Sequence, residues 1–462
     1  MLEIVTTGMI LKQQTEDENM KNLWQKYWDV SSVAQTAHRG QNPFSLIIKG
    51  LQSMLVMFGA TIIVPLTLGM SPQITLFGMG VGTLIFLLIT KGKSPLTMGS
   101  SFAFMIGVLG VIDPNGPLAH IATHEERLQY ALGGILAAGV VYLVFSVIVK
   151  LVGANKFMRF LPHAVTGPTV VLIGVTLAPH AINQFATNWI LGPLTLIIIV
   201  FVMMFAKGKT KFFPILIGLG GAYVVAVFMS ILGATDAAGY ALIDFSYVST
   251  AQVFGLPPFM TPKFALTPIL MLAPFALATV SENIADHVIV GQEMGEDLVR
   301  NKPGLSRTLF ADGIQSMAVS VFGTPMNTTY SENVGLLIIT RVFSSVVVAI
   351  GALFAILLGL SPMFAEIIHT IPVAIIGGAS VMLYGMIASI GMRTVKDHVD
   401  LNVTKYLIIM SVMLVVGIGM RFGTPIVIEI VGENVRLDRM NLPVAIILGV
   451  ILNAVLPVKQ KD

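Results

Sequence analysis

The stretch NTTYSENVGLLIITR, residues 327–341, decides how this chain must fold. It follows Gly323-Thr324-Pro325 and continues into a long apolar segment, so a Tyr, a Glu and an Asn stand where the chain is otherwise suited to lipid. A carboxylate such as Glu332 at the centre of a bilayer costs roughly 2.5 to 3.5 kcal/mol on insertion scales. The stretch therefore predicts a broken membrane segment whose polar residues face a cavity or other protein.

The rest of the chain has the composition of a polytopic membrane protein. Of its 462 residues, 55% are hydrophobic and 11% are charged, and the mean hydropathy is +0.85. A soluble domain carries about 25% charged residues. The formal net charge of +3 is too small to indicate nucleic acid as a partner, and the lack of cysteine excludes disulfides and thiolate ligands. We expect no metal and no cofactor.

Apolar stretches predict the membrane segments, because a helix needs about 20 apolar residues to cross the hydrocarbon. Residues 1–44 are polar and lack the apolar region of a cleavable signal peptide, which predicts a cytoplasmic tail. Beyond it, fourteen apolar segments are centred near residues 57, 82, 105, 140, 170, 197, 222, 277, 316, 335, 351, 378, 413 and 449.

The distribution of Lys and Arg predicts the orientation, because cytoplasmic loops carry an excess of these residues. Basic residues follow every second segment, at 91–93, 150–159, 207–211, 300–307, 341 and 393–405, and the chain ends on Lys459 and Lys461. The opposite loops are poor in them, except that the loop 421–439 carries Arg421, Arg436 and Arg439. The pattern predicts fourteen segments with both ends cytoplasmic.

A long polar loop at 234–264, expected to be extracellular, divides the segments into two sets of seven. Seven is odd, so the second set should be inverted relative to the first, which is typical of transporters that bind substrate near the midplane on broken segments. The third segment of each set has such a break, GSSFAFMIG at 99–107 and TPMNTTYSENVG at 324–335.

Ionisable residues inside the eighth segment predict a functional site. Glu282 and Asp286 are four residues apart and therefore share a helix face, with His287 about a quarter-turn away. Intramembrane acids usually mark substrate or proton pathways. The alternative is a buried polar cluster that only holds helices together. Asp312, in the ninth segment, fits a functional and a structural role equally well.

Several catalytic motifs are absent or incomplete. GKS at 92–94 and GKT at 208–210 end like a phosphate-binding loop, but Leu87 and Met203 stand where that loop needs glycine. The sequence contains no HExxH zinc motif and no G-x-S-x-G elbow. A membrane-embedded enzyme is therefore a distant alternative.

Residues 332–341, ENVGLLIITR, match the signature of the nucleobase–ascorbate transporter family, also called nucleobase:cation symporter-2. That signature is an acid, amide or proline, then Asn, any residue, Gly, four residues and Thr, often followed by Arg or Lys. MFGATIIVPL at 57–66, KGKSPLTMGSSFAF at 91–104 and the blocks at 325–333 and 382–393 also resemble the uracil-transporting bacterial branch of that family. The resemblance covers residues 45 to 457.

This resemblance implies an all-α fold of fourteen segments in two inverted seven-segment repeats. Residues 45–150 and 265–360 would form a core domain that binds substrate, and 151–233 and 361–457 a gate domain. The third and tenth segments would each begin as a short strand, and the two strands would pair antiparallel. The implied activity is proton-coupled import of uracil or a close relative across the bacterial cytoplasmic membrane, by an elevator-like movement of the core in a homodimer.

The family's site residues transfer to matching positions of this chain. Glu282 and Glu332 would bind the base through their carboxylates. Phe102, Tyr330 and Ala60 match the remaining base contacts of the family. Ser331, which departs from the family pattern, is expected to contact the base as well. From the ionisable residues themselves we expect proton coupling to involve Glu282, Asp286, His287 and Glu332. We expect supporting roles for Asn333, Asp312, Thr340 and Arg341.

Three positions depart from the family pattern. Ser331 stands where glycine precedes the signature acid, Asp286 where histidine is frequent, and Ser53 where histidine follows glutamine. The glutamate at 332, rather than the glutamine frequent in purine transporters, favours a pyrimidine. The alternatives are a xanthine- or urate-type purine symporter of the same family and an anion exchanger or channel of the same fold, which paired acids disfavour.

Overall fold

The computed structural model describes residues 33–36, 40–208, 210, 213–235, 239, 241–430 and 433–457. The side chains of Thr36, Ala60, Glu332, Ile339, Ile430, Glu433 and Asn434 lie outside that description. Long apolar helices make up most of the described chain, as expected of a polytopic membrane protein.

The elements up to the long polar loop are α1 Val33–Thr36, α2 Pro43–Leu68, α3 Pro72–Ile89, β1 Met98–Ser100, α4 Phe102–Ile112, α5 His124–Val152, α6 Ala154–Met158, α7 His163–Phe185, α8 Leu191–Phe205 and α9 Pro214–Ile231. Within that loop lies the short helix α10 Ser246–Thr250.

The remaining elements are α11 Leu266–Leu272, a 3-10 turn at Ala273–Phe275, α12 Ala276–Met294, α13 Leu305–Ser320, β2 Asn327–Thr329, α14 Ser331–Thr340, α15 Ser345–Gly359, α16 Pro362–His369, α17 Val373–His398, α18 Thr404–Phe422, β3 Val427–Ile430, β4 Glu433–Arg436, a 3-10 turn at Leu437–Met440 and α19 Asn441–Val455.

Nine helices of the described ranges are long and apolar enough to cross a membrane, counting Leu266–Met294 and Leu437–Val455 as continuous spans. A tenth results if α15 and α16, bent by 82° at their junction, are counted together. The helices α4 and α8 are apolar but shorter. The protein is therefore a multi-pass membrane protein.

The two broken segments meet, as the sequence predicts. Strands β1 and β2 pair antiparallel, with Met98 opposite Thr329 and Ser100 opposite Asn327. All six residues of the two strands are buried. Backbone groups inside a membrane protein need internal partners, and two short strands supply them to each other where neither segment is helical. The Ser101 hydroxyl then accepts a hydrogen bond from the Phe104 N–H (3.3 Å) and begins α4.

Helix packing falls into two groups. Helix α5 packs closely against α13, and α15 packs closely against α2 and α3; apart from two residues at the start of α2 and two at the end of α5, all lie within residues 45–150 or 265–360. The helix α7 packs along α17 and also against α18, and α18 packs against α19. Fewer residues join one group to the other, among them those where α12 meets α7.

Part of the predicted tail packs on the membrane helices. Ala34 of α1 is fully buried, in a cluster that includes Met98 and Val334 on the two broken segments. The Gln35 side chain donates a hydrogen bond to the Lys91 carbonyl oxygen (2.7 Å). Residues 1–32 and 37–39, also assigned to the tail, lie outside the described residues.

The loop that carries the unexpected arginines folds as a β-hairpin, which the sequence did not predict. Strand β3 pairs antiparallel with β4, with Val427 opposite Arg436. The charges are compensated locally. Arg436 donates to both carboxylate oxygens of Asp438 (2.7 and 3.1 Å), and these hydrogen bonds raise the pKa of the Arg436 guanidinium.

Candidate functional site

The paired strands bring the polar residues of both broken segments to one place. Tyr330 follows β2 directly and is 3% exposed. Gly99 of β1 permits this packing, because a Cβ at Gly99 would lie 2.2 Å from the Tyr330 ring. The helices α4 and α14 both begin here, at Phe102 and Ser331. Helix N-termini carry partial positive charge from unpaired N–H groups, which favours carbonyl or anionic oxygens nearby.

The acids of α12 face the start of α14. The Ser331 hydroxyl lies 2.8 Å from Asp286 Oδ1 and 3.3 Å from Glu282 Oε1. One hydroxyl hydrogen can serve one of these carboxylates at a time. Asp286 is 2% exposed, and Glu282 is partly exposed. The expectation that the two acids share one helix face is therefore met, and Ser331 from the opposite broken segment contacts both.

An aromatic pair lies at the beginning of α4. Phe102 is 7% exposed and contacts Tyr384 of α17 edge to face, with ring centroids 5.7 Å apart. Tyr384 was not singled out by the sequence, although it lies in the block 382–393 that carried part of the resemblance. Its contact with Phe102 depends on how α17 packs against α4, which local sequence does not report.

A cavity of about 160 Å³ lies between α7 and α17 and is lined by Gly174, Val175, Ala178, Ala181, Ile182, Val381, Tyr384, Gly385 and Ala388. Tyr384 therefore lines the cavity and also contacts Phe102. Glu282, Asp286 and Ser331 do not line this cavity.

Two predicted base contacts have side chains outside the described part of the structure, Ala60 and Glu332. The backbone of Glu332 lies in the first turn of α14, one residue after Ser331. The convergence of Glu332 with Glu282 on a substrate stays a prediction.

Asp312 is completely buried beneath β2 and accepts three hydrogen bonds. The donors are Asn283 Nδ2 (2.9 Å), Gln315 Nε2 (2.8 Å) and Thr328 Oγ1 (3.3 Å). They come from α12, α13 and β2, so this carboxylate ties the acid-bearing helix to the second strand. Asn283 and Gln315 were missed from the sequence, where single amides in apolar helices are a weak signal.

The second strand has a further support from α13. Gln315 Nε2 (2.9 Å) and the Ser316 hydroxyl (2.5 Å) both donate to the Asn327 carbonyl oxygen. The Asn327 side chain donates in turn to the Gly78 carbonyl oxygen of α3 (3.1 Å). The broken segment is thus held by helices on two sides.

His287 has hydrogen-bond partners for both ring nitrogens. Nδ1 lies 2.7 Å from the Asn283 carbonyl oxygen, and Nε2 lies 3.0 Å from the Ser94 hydroxyl. A carbonyl only accepts, so Nδ1 carries a hydrogen, while Nε2 and the Ser94 hydroxyl form a hydrogen bond with each other.

The other signature residues make three kinds of contact. The Asn333 side chain donates to the Thr97 hydroxyl (2.6 Å) and so joins α14 to the chain before β1. The Thr340 hydroxyl donates to the Leu336 carbonyl oxygen within its own helix (2.8 Å). Arg341 pairs with Glu293 near the ends of α14 and α12 (2.5 Å).

No group of three His, Cys, Asp or Glu side chains that could hold a metal ion occurs among the described residues. The helices, the buried strand pair and the acids beside it form the arrangement expected of a transporter with broken membrane segments.

Comparison with known proteins gives the family. A family model described as "Permease family" matches residues 44–426. The uracil permease of Bacillus subtilis (strain 168) is 34% identical over 440 residues, which cover 91% of this chain and 94% of that protein. The putative pyrimidine permease RutG of Escherichia coli (strain K12) is 36% identical over 378 residues, covering 80% of this chain and 82% of that protein. The chain belongs to this permease family, nucleobase:cation symporter-2, and is a transporter rather than an enzyme.

Solved structures share the fold at low sequence identity. The transmembrane domain of the cyanobacterial bicarbonate transporter BicA has a TM-score of 0.62 and 14% identity, covering 90% of this chain and 98% of that one. The murine anion transporter Slc26a9 has a TM-score of 0.61 and 11% identity, covering 90% and 68%.

Proposed function

We propose that this protein imports uracil, or a closely related nucleobase, together with protons across the bacterial cytoplasmic membrane. The observation that carries the proposal is the Ser331 hydroxyl within hydrogen-bonding distance of both Glu282 and Asp286, beside the paired strands. Three polar groups from two segments thus meet, two of them on Leu266–Met294, which is long and apolar enough to cross a membrane. The relatives named as uracil and pyrimidine permeases support the choice of substrate.

The chemistry of uracil suits this arrangement. Uracil is flat and offers two N–H donors and two carbonyl acceptors. Glu282 and Glu332 would accept from its N–H groups, and backbone N–H groups at the beginnings of α4 and α14 would donate to its carbonyl oxygens. Phe102 and Tyr330 would lie against the ring, with Ala60 as a small neighbour.

Proton coupling is assigned to the acids of this site. A carboxylic acid that loses its water favours its neutral form, and it can release the proton when one side of the protein opens to water. Asp286 and Glu282 share the Ser331 hydroxyl, so protonation of either one changes which acid the hydroxyl serves. His287, which is hydrogen-bonded through both ring nitrogens, and Glu332 are the further groups proposed to take part in proton coupling.

We also propose fourteen segments in two inverted repeats of seven. Helices overlie all fourteen predicted centres, although several are short. The two helix-packing groups support a core of residues 45–150 and 265–360 that moves past a gate of 151–233 and 361–457. The loop 234–264 would be extracellular and both termini would be cytoplasmic, as the distribution of Lys and Arg predicts. The protein would be a homodimer, as the family resemblance implies.

Uptake of labelled uracil by cells expressing the protein tests the proposal. We expect uptake that saturates, that unlabelled uracil competes away and that a protonophore abolishes. If xanthine competed with labelled uracil more strongly than unlabelled uracil does, the protein would be identified as a purine symporter. If the protonophore left uracil uptake unchanged, proton coupling would be excluded. Bicarbonate or chloride transport without nucleobase uptake would overturn the proposal in favour of an anion exchanger.

A further inference from the structure

An ion pair joins the far end of α4 to the hairpin region. The Arg439 guanidinium donates to Asp113 Oδ2, directly after α4. The other oxygen of Asp113 accepts from the Asn115 N–H (2.9 Å), which fixes the carboxylate. The two side chains are 20% and 19% exposed, so the pair is largely shielded from water.

Neighbouring groups hold Arg439 in this position. Its Nε lies 3.5 Å from Asp438, which is itself paired with Arg436. Gly110 of α4 allows the close approach, because a Cβ at Gly110 would lie 2.9 Å from the Arg439 Cβ. The 3-10 turn after the hairpin thus rests directly on the last turn of α4.

We infer that Arg439 and Asp113 form a latch between the gate and the core, on the side expected to be extracellular. The inference rests on the proposed function, because it takes α4 as part of the moving core and Arg439 as part of the gate. Helix α4 begins at Phe102, so the latched helix is the one whose opposite end lines the candidate site. Movement of the core past the gate separates the pair once in every transport cycle.

The local chemistry suits a contact that breaks and re-forms. A pair of charges buried completely would leave two uncompensated ions on separation. Here each partner keeps another hydrogen bond or ion pair, Asp113 with the Asn115 N–H and Arg439 with Asp438. Each side chain also retains some access to water. Arg439 is therefore a gating residue that favours closure on this side without locking it.

A disulfide across the contact tests the latch, and the chain has no native cysteine to interfere. In the double variant Gly110→Cys/Arg439→Cys the two Cβ atoms start 2.9 Å apart, so a small shift reaches disulfide geometry at about 3.5 to 4.5 Å. We expect oxidation to lower uracil uptake at least tenfold and reduction to restore it, while a uracil-induced thermal shift persists. Uptake that continues at full crosslinking would overturn the latch.

The matched control is Gly50→Cys/Ile350→Cys, which joins α2 to α15 within the proposed core. A Cβ at Gly50 lies 2.7 Å from the Ile350 Cβ. This crosslink should leave uptake within about twofold of the reduced protein. Failure of Gly110→Cys/Arg439→Cys to crosslink under conditions that crosslink the control would also overturn the contact. Absence of uracil uptake and of a uracil thermal shift in the unmodified protein would refute the proposed function instead.

A double-mutant cycle provides a second measurement that needs no cysteine. Arg439→Ala and Asp113→Asn should each change the apparent KM for external uracil two- to tenfold in the same direction, and the combined variant should match either one. The affinity of the detergent-purified protein for uracil should stay unchanged, which a merely structural defect would not permit. If the combined variant changed the apparent KM by the product of the two single-variant changes, the latch would be overturned.

Discussion

The Ser331 hydroxyl lies 2.8 Å from Asp286 Oδ1, and this contact joins the two positions at which the sequence departs from the family pattern inside the site. The family pattern has glycine at position 331 and often histidine at position 286. This chain instead has the hydroxyl of Ser331, which donates a hydrogen bond to the carboxylate of Asp286. The two departures are therefore one local arrangement rather than two unrelated changes. The same hydroxyl reaches Glu282 at 3.3 Å, so the arrangement also touches the proposed base-binding acid.

Replacing the proposed base-binding acids should stop transport. Glu282→Gln exchanges an anionic acceptor for an amide that presents a donor to the N–H groups of the base. A hydrogen bond to a charged group contributes about 1.5 to 3 kcal/mol, so uracil uptake should fall about 10- to 100-fold. We expect the same of Glu332→Gln. Membrane insertion, measured by the amount of protein in the membrane fraction, should not change.

The control for that prediction lies on the same helix. Glu293→Gln removes a carboxylate near the end of α12, where it pairs with the exposed Arg341. An exposed ion pair contributes about 0 to 1 kcal/mol, so uptake should stay near normal. Normal uptake in both Glu282→Gln and Glu332→Gln would remove these acids from the site.

Removing the Ser331 hydroxyl should lower stability and alter substrate preference, because Asp286 then loses a hydrogen-bond donor. Ser331→Ala leaves a buried carboxylate without this donor, which costs about 1 to 3 kcal/mol. We expect a lower thermal midpoint in detergent and a changed ranking of competing nucleobases, while Ser331→Thr, which keeps the hydroxyl, stays closer to the native ranking. An Ala variant with native stability and native ranking would contradict the role given to this contact.

Asp312 should matter through its hydrogen bonds rather than its charge alone. Asp312→Asn turns an amide donor toward groups that are themselves donors, Asn283 and Gln315. The mismatch should cost about 1 to 3 kcal/mol and lower the thermal midpoint together with uptake. Asp297→Asn, which alters a partly exposed pair with Arg300, is the control and should change neither. Equal midpoints for the two variants would contradict the network.

A methyl group on Gly99 should disturb the strand pair. The Cβ of Gly99→Ala would meet the Tyr330 ring at 2.2 Å, and Tyr330 is buried. Overpacking typically costs about 1 to 3 kcal/mol, so both stability and uracil binding should fall. Gly220→Ala is matched, because a Cβ there meets nothing within 4 Å. Tolerance of both substitutions would show that Tyr330 has space to move.

The pairing of the two broken segments was expected from the family resemblance, whereas the common face of the acids followed from the residues themselves. Small hydroxyl residues and a polar run inside an apolar segment indicated only that these segments break, and paired strands then satisfy the backbone groups that a helix does not. The spacing of Glu282 and Asp286 fixes their common face through helix geometry. The hairpin β3–β4 was missed because a count of Lys and Arg treats a loop only as charge. Its apolar–polar alternation covers only Ile428, Glu429 and Ile430 and follows an apolar helix.

The linear sequence thus determined that this protein resides in a membrane, that two of its segments break at polar residues, and to which family it belongs, because composition, period and motif are local properties. Only the tertiary structure decided that Ser331 meets both acids, that Tyr384 contacts Phe102, that Asp312 ties three elements together and that Arg439 reaches Asp113. Each of these contacts joins residues from separate elements, and their approach depends on how whole helices pack, which no local pattern encodes.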